Sequence, residues 1–211
     1  MNAQTTNFDT TPKTTINPTA TATELSGESL DKVSGGNDPS YDPSGSCLTP
    51  DTKITLADGS SKRVDKLTDD DILLVWDFDA GALASAPITF FYRVHEEAEV
   101  LRVSFSDGTS VGVVDERVFF DLTDRKYVAI NSADQESELA GHAFAKLVDG
   151  RIEEVTLTSI CPDGTTDSYY SPVLEAHFNC FAEGMLSMSG FLKGFYNVFD
   201  LEEGALRYDA A

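Results

Sequence analysis

Short runs in which apolar and polar positions alternate dominate the chain from Cys47 onward, and Asp- or Gly-containing turns close most of them. Successive side chains of a strand point to opposite faces, so a period of two marks half-buried β-structure. "TKITLADGSSKRVDKL" reads as a strand, an Asp-Gly turn and a second strand. "DILLVWDFDAGAL", "APITFFYRVHE", "EVLRVSFSDGTSVGVV", "RVFFDLTDRKYVAI" and "RIEEVTLTSICPDG" continue in the same way. Residues 132–147 are the one stretch with helical character, and they suit a loop equally well. The pattern predicts an all-β domain over residues 47–200, followed by a tail over 201–211.

Upstream of Cys47 the texture is different. Residues 1–23 are rich in Thr, Asn and Pro, and bury too little apolar surface to offset their ordering entropy, which predicts disorder. Residues 24–34 predict a short helix with Leu25, Leu30 and Val33 on one broad face. Gly35 and Gly36 end it, because glycine accepts the backbone angles of a helix terminus. Residues 37–46, "NDPSYDPSGS", repeat an Asp-Pro-Ser unit and predict an extended, exposed linker.

Composition narrows the function. With 41% hydrophobic residues in 211, the chain can bury one sizeable core. Its net charge of -21 repels phosphate backbones and anionic surfaces, which argues against nucleic acid as a partner. No apolar run approaches the roughly 18 residues of a membrane span. The N-terminus lacks the basic and apolar regions of an ordinary secretory signal. Cys47, Cys161 and Cys180 are an odd count without a CxxC pair, suiting neither a disulfide framework nor a zinc cluster. "DFDAG" from Asp77 lacks the spaced ligands of a calcium loop and predicts a solvated turn, so no metal or cofactor is expected. Oligomeric state is left open.

Two resemblances follow from these residues. "LSGESLDKVSGG" places Leu25, Leu30, Val33 and Gly35–Gly36 in the register of the leaders of double-glycine bacteriocin-type precursor peptides, which it resembles. That resemblance implies a peptidase-containing ABC exporter as partner, which would read the helix face and cut between Gly36 and Asn37. It also implies a cytoplasmic stage followed by secretion. The second resemblance covers nearly everything after Gly45. "CLTPDTKITLADGSSKRVDKLTDDDILLVWD" is similar to the opening block of Hedgehog/intein (Hint) domains. "DGTSVGVVDERVFFD" resembles the block that normally holds TxxH before aromatic residues, and "LAGHAF" stands where a Gly-Asp turn is usual. "VLEAHFNCFAEGMLSMS" resembles the last block, in the form met in bacterial and phage Hint domains. The implied fold is a pseudo-symmetric horseshoe of short strands.

The Hint resemblance implies that Cys47 attacks the Ser46 carbonyl and exchanges the amide for a thioester. Such an exchange is uphill in water, so the fold must strain the bond, stabilise the oxyanion and protonate the departing nitrogen. The second block departs from the family: Val114 stands at the Thr position and Arg117 at the His position. Guanidinium stays protonated at physiological pH, so Arg117 can polarise the carbonyl but cannot deliver a proton. His177 is the remaining acid/base candidate, with Asn179 able to orient a carbonyl, while His95 and His142 read as surface residues. Cys180 reads either as a packed strand cysteine or as a disulfide partner for Cys47 in an oxidising compartment. Met188 and Ser189 stand where splicing needs His-Asn, which excludes splicing.

The expectation is single-turnover cleavage at Ser46–Cys47 on an exported precursor. Its rivals are an inactive Hint-fold binding module and a carrier whose leader recruits a modifying enzyme. A double-glycine peptidase domain is expected to release residues 1–36 from the purified chain, as read by mass. Leu30→Ala and Gly36→Ala variants cut as fast as the parent would rule out the leader.

Overall fold

The alternating runs become strands almost throughout the region that the computed structural model describes, residues 46–190. The leader positions Leu25, Leu30, Val33, Gly35, Gly36 and Asn37, and the tail 201–211, lie outside the described residues. The strands are β1 (Ser46–Leu48), β2 (Lys53–Thr55), β3 (Ser61–Arg63), β4 (Ile72–Asp77), β5 (Ala82–Val94), β6 (Ala98–Phe105) and β7 (Ser110–Asp121). They continue as β8 (Lys126–Ile130), β9 (Ala143–Val148), β10 (Arg151–Thr166), β11 (Tyr169–Leu174), β12 (Asn179–Ala182) and β13 (Met185–Met188).

All of them join one sheet in the order β3-β2-β12-β13-β9-β10-β6-β7-β1-β11-β5-β4, with β8 added to β7. The path also returns on itself, because β13 and β9 each touch β7. Two long strands make this possible by changing partners along their length. The first half of β5 pairs with β4 and the second with β11. The first half of β7 pairs with β6 up to Val114, and the second pairs with β8 from Arg117. Asp115 and Glu116 lie between those two ladders, and Asp115 has φ 58°, in the left-handed region. Strand pairs that cross a bulge bend and twist locally, and here β7 turns a corner.

The inward positions of these strands form the main core, from Leu48 and Ile54 to Leu174 and Met185. Phe105, Phe119 and Phe144 meet edge to face at its centre, with centroids 5.7 to 6.5 Å apart. That is the arrangement aromatic quadrupoles favour. A second cluster gathers Trp76, Phe120, Phe181 and Leu186. The β12–β13 turn needs two successive left-handed residues, and Glu183 (φ 49°) and Gly184 (φ 81°) supply them.

The helical candidate over 132–147 is half borne out. A 3₁₀ turn, Ala133–Gln135, runs into a helix, α1 (Glu136–Leu139), started by a capping box between Ser132 and Gln135. Gly141 (φ 86°) follows, and "AFAKLV" returns to the two-residue period as β9. No helix among the described residues is long and apolar enough to cross a membrane.

Asn179 clamps β4 to β12. Its carbonyl oxygen accepts from Trp76 N–H (2.7 Å), and its amide donates to Trp76 O (2.8 Å) and His177 O (2.8 Å). The two bonds to Trp76 are buried, so Asn179→Ala would strand the Trp76 backbone pair without partners. Unfolding in urea is expected to show a loss of roughly 2–4 kcal/mol. A loss below about 0.5 kcal/mol would show that the clamp contributes little.

Candidate functional site

β1 runs between β7 and β11. Leu48 pairs with Tyr170 on β11, while Cys47 pairs with Val114 and Ser46 with Arg117 on β7. The register therefore slips between Ser46 and Cys47, at the peptide bond that the sequence analysis singles out. The slip accommodates Asp115 and Glu116 at the β7 corner. A non-glycine residue held in the left-handed region costs on the order of 1 kcal/mol and persists only where the surroundings over-determine it.

Packing after β1 fixes the register. Thr49 N–H donates to Gly112 O (3.4 Å), and the Thr49 and Thr52 hydroxyls meet at 3.2 Å. A Cβ on Gly112 would lie 2.5 Å from Thr49 Oγ1, so glycine is what admits the turn against β7. With Thr49 seated, Cys47 falls into a buried cluster with Val100, Val114 and Tyr169.

Arg117 is fully buried, and is among the largest side chains in the interior. Its Nη2 donates to Ser187 Oγ (2.6 Å) and lies 3.6 Å from Cys180 Sγ. The Ser187 hydroxyl in turn donates to Cys180 O (3.3 Å). Burial pushes the guanidinium below its ordinary pKa, while the sulfurs of Cys180 and Cys47 and the Tyr127 hydroxyl act in the opposite direction. Burial also raises the Tyr127 phenol. Tyr169 is likewise raised, first by burial and then by its hydrogen bond to the Glu96 carboxylate, so it stays neutral near pH 7. The arrangement is a cation held between two thiol-bearing strands, beside a slipped peptide bond.

The other sequence candidates lie elsewhere. His177 (φ 66°) and Phe178 (φ 47°) form a left-handed turn ahead of β12. The Asp77 carboxyl is held low chiefly by the Ala80 N–H, with His177 adding to the effect. Asp77 Oδ1 also accepts from Asp79 N–H, so "DFDAG" is a carboxylate-capped turn. Asn179 does orient carbonyls, those of Trp76 and His177. Cys180 is buried in β12 and Cys161 is exposed in β10.

One surface assignment is corrected. His142 Nδ1 sits 2.7 Å from Oδ2 of the fully buried Asp121, because the turn after α1 lays "GHAF" along the end of β7. His95 is exposed, edge-on to the Tyr170 ring. Asp121, Asp124 and His142 have donor atoms within 4.8 Å of one another, a spacing that could hold a metal ion. Asp121 Oδ1 already accepts from Thr123 N–H, and Asp124 pairs with Lys126. Nothing in the spacing of these residues along the chain announces the group.

These features define an all-β fold of the intein, or Hint, type. A DnaB intein from Synechocystis sp. PCC 6803 superposes with a TM-score of 0.59 at 15% identity, over 69% of this chain and 99% of that one. A Ssp DnaB mini-intein variant gives 0.58 at 15% identity, over 69% and 96%. The PabCDC21-1 intein gives 0.58 at 14% identity, over 68% and 98%. No protein-family model matches the sequence, and no curated protein matches it.

A guanidinium buried without the bulk solvent it prefers is expensive, and apolar replacements of buried charges are often neutral or stabilising. Arg117→Met is therefore expected to leave stability in urea unchanged or raise it by about 1–3 kcal/mol. A loss above roughly 2 kcal/mol would show instead that Arg117 is a keystone of the fold.

Proposed function

We propose that the domain acts on its own chain at Ser46–Cys47 by an N-to-S acyl shift. Cys47 Sγ attacks the Ser46 carbonyl carbon, the C–N bond breaks, and the thiol proton ends on the Cys47 amine. Arg117 polarises the carbonyl oxygen, and the slipped register holds the peptide away from relaxed strand geometry. Water or an added thiol then resolves the thioester and frees residues 1–46. The observation that carries this reading is the coincidence of Cys47, Arg117 and the ladder slip at one peptide bond. Met188 and Ser189 close the domain without an asparagine to cyclise, so the reading contains no splicing.

The double-glycine leader belongs to the same proposal. Removal after Gly36 by a peptidase-containing exporter, followed by cleavage before Cys47, would liberate "NDPSYDPSGS" outside the cell. A second reading, a Hint-shaped binding or structural module without chemistry, is favoured by one observation. Arg117 is engaged by Ser187 and cannot act as the proton donor that imidazole would be.

Electrospray mass of the full chain separates the two. A small thiol such as dithiothreitol is expected to yield the 47–211 fragment over hours to days, Cys47→Ala to abolish it, and Cys161→Ala to leave it intact. Arg117→His with Val114→Thr is expected to accelerate release by roughly a hundredfold, the usual worth of general acid–base help. An uncut bond in that double variant, with thiol present, would leave the binding module as the answer.

A further inference from the structure

Ser171 on β11 is 1% exposed, and its hydroxyl oxygen has no hydrogen-bond partner among the described residues. Buried hydroxyls are nearly always satisfied, so one that is not requires an explanation. Its address supplies one. Leu48 pairs with Tyr170 in an antiparallel ladder, and one further step along that register sets Cys47 opposite Ser171. The faces agree. Leu48 and Tyr170 share the main core, whereas Cys47 and Tyr169 share the other cluster with Val114. Ser171 lies two residues beyond Tyr169 and so projects to the Cys47 face. Directly opposed residues on one face have Cβ atoms about 4.5–5.5 Å apart, within reach of a hydroxyl and a sulfur.

Gly190 shuts the far side of this pocket. Its N–H donates to Pro172 O (2.8 Å), and a Cβ there would lie 2.6 Å from Ser171 Oγ. Only a residue without a side chain can cover the hydroxyl this closely. Ser171 is thus excluded from solvent, uncommitted, and beside the atom that must become charged.

We propose that the Ser171 hydroxyl is a catalytic hydrogen-bond donor, turning onto Cys47 Sγ as the sulfur gives up its proton and attacks Ser46. This deepens the self-cleavage reading and rests on it. Ser171 keeps its own proton throughout; the bonds made and broken are those of the acyl shift. Among the described residues, the charged or titratable groups that act on this thiol include Arg117 on β7 and Tyr169 on β11, and Asp115 and Glu96 act on Tyr169 in turn.

The test is Ser171→Ala in the full chain carrying isotope-labelled cysteine, with the Cys47 thiol titrated through its Cβ shift. The thiol midpoint is expected to rise by about one pH unit, a tenfold loss of thiolate at a given pH below it. Thiol-triggered release is expected to slow by about tenfold. The melting temperature is expected to hold or rise, because the variant removes a buried polar atom that has no partner. A midpoint that does not move overturns the proposal, whether or not the chain cleaves. A shifted midpoint in a chain that never releases residues 1–46 keeps the Ser171–Cys47 contact and overturns the self-cleavage reading instead.

Discussion

The corner of β7 at Asp115 and Glu116 is the constraint on which the rest of this structure depends. A straight β7 would carry one ladder from Ser110 to Asp121; the corner lets it serve β6 and β1 on one side, then β8, β13 and β9 on the other. The sheet folds back on itself through those contacts, which is how one continuous sheet encloses a core without a helical layer. The same corner sets Ser46 opposite Arg117 while Cys47 stays opposite Val114. Local geometry that closes the fold is therefore also the geometry that disturbs the candidate peptide bond.

Around that bond the interior holds groups that a purely structural core would avoid. Arg117 sits in full burial against a hydroxyl and a sulfur, and Ser171 keeps a hydroxyl with no partner among the described residues. At the exposed corner beside them, Asp115 occupies backbone angles that side chains resist. Each lowers stability, and all cluster within a few residues of β1. Hydrophobic burial elsewhere offsets them, above all around the three-phenylalanine centre of the main core. Concentrated local cost on a well-packed frame is the pattern expected where chemistry needs preorganised, under-solvated groups.

The strands were legible in the chain because burial on one face writes a two-residue period directly into the residue order. That Arg117 would stand opposite Ser46 was implied only by the Hint resemblance, which set it at the His position of the second block; the Cys47–Val114 pairing itself was not read from the sequence. Other features left no local trace. Nothing near Arg117 shows that Ser187, seventy residues on, would receive its guanidinium. Asn179 was read from its motif as a site residue, yet its partner is the backbone of Trp76, and backbone groups carry no signature. His142 looked like a surface residue because its neighbours are small and polar-flanked, while its buried partner Asp121 closes an apolar run. The stretch 132–147 mixed a capped helical turn with a strand, and one averaged period could not describe both.

Gly190 has a consequence for where the described residues enter and leave the sheet. It forms a parallel bridge to Val173 and bonds to Pro172, on the same strand that receives β1 through Tyr170. Leu48 and Gly190, near the two ends of the described residues, thus dock on one short stretch of β11. Among the described residues, the strand order therefore brings the start of the sheet and its end to one place.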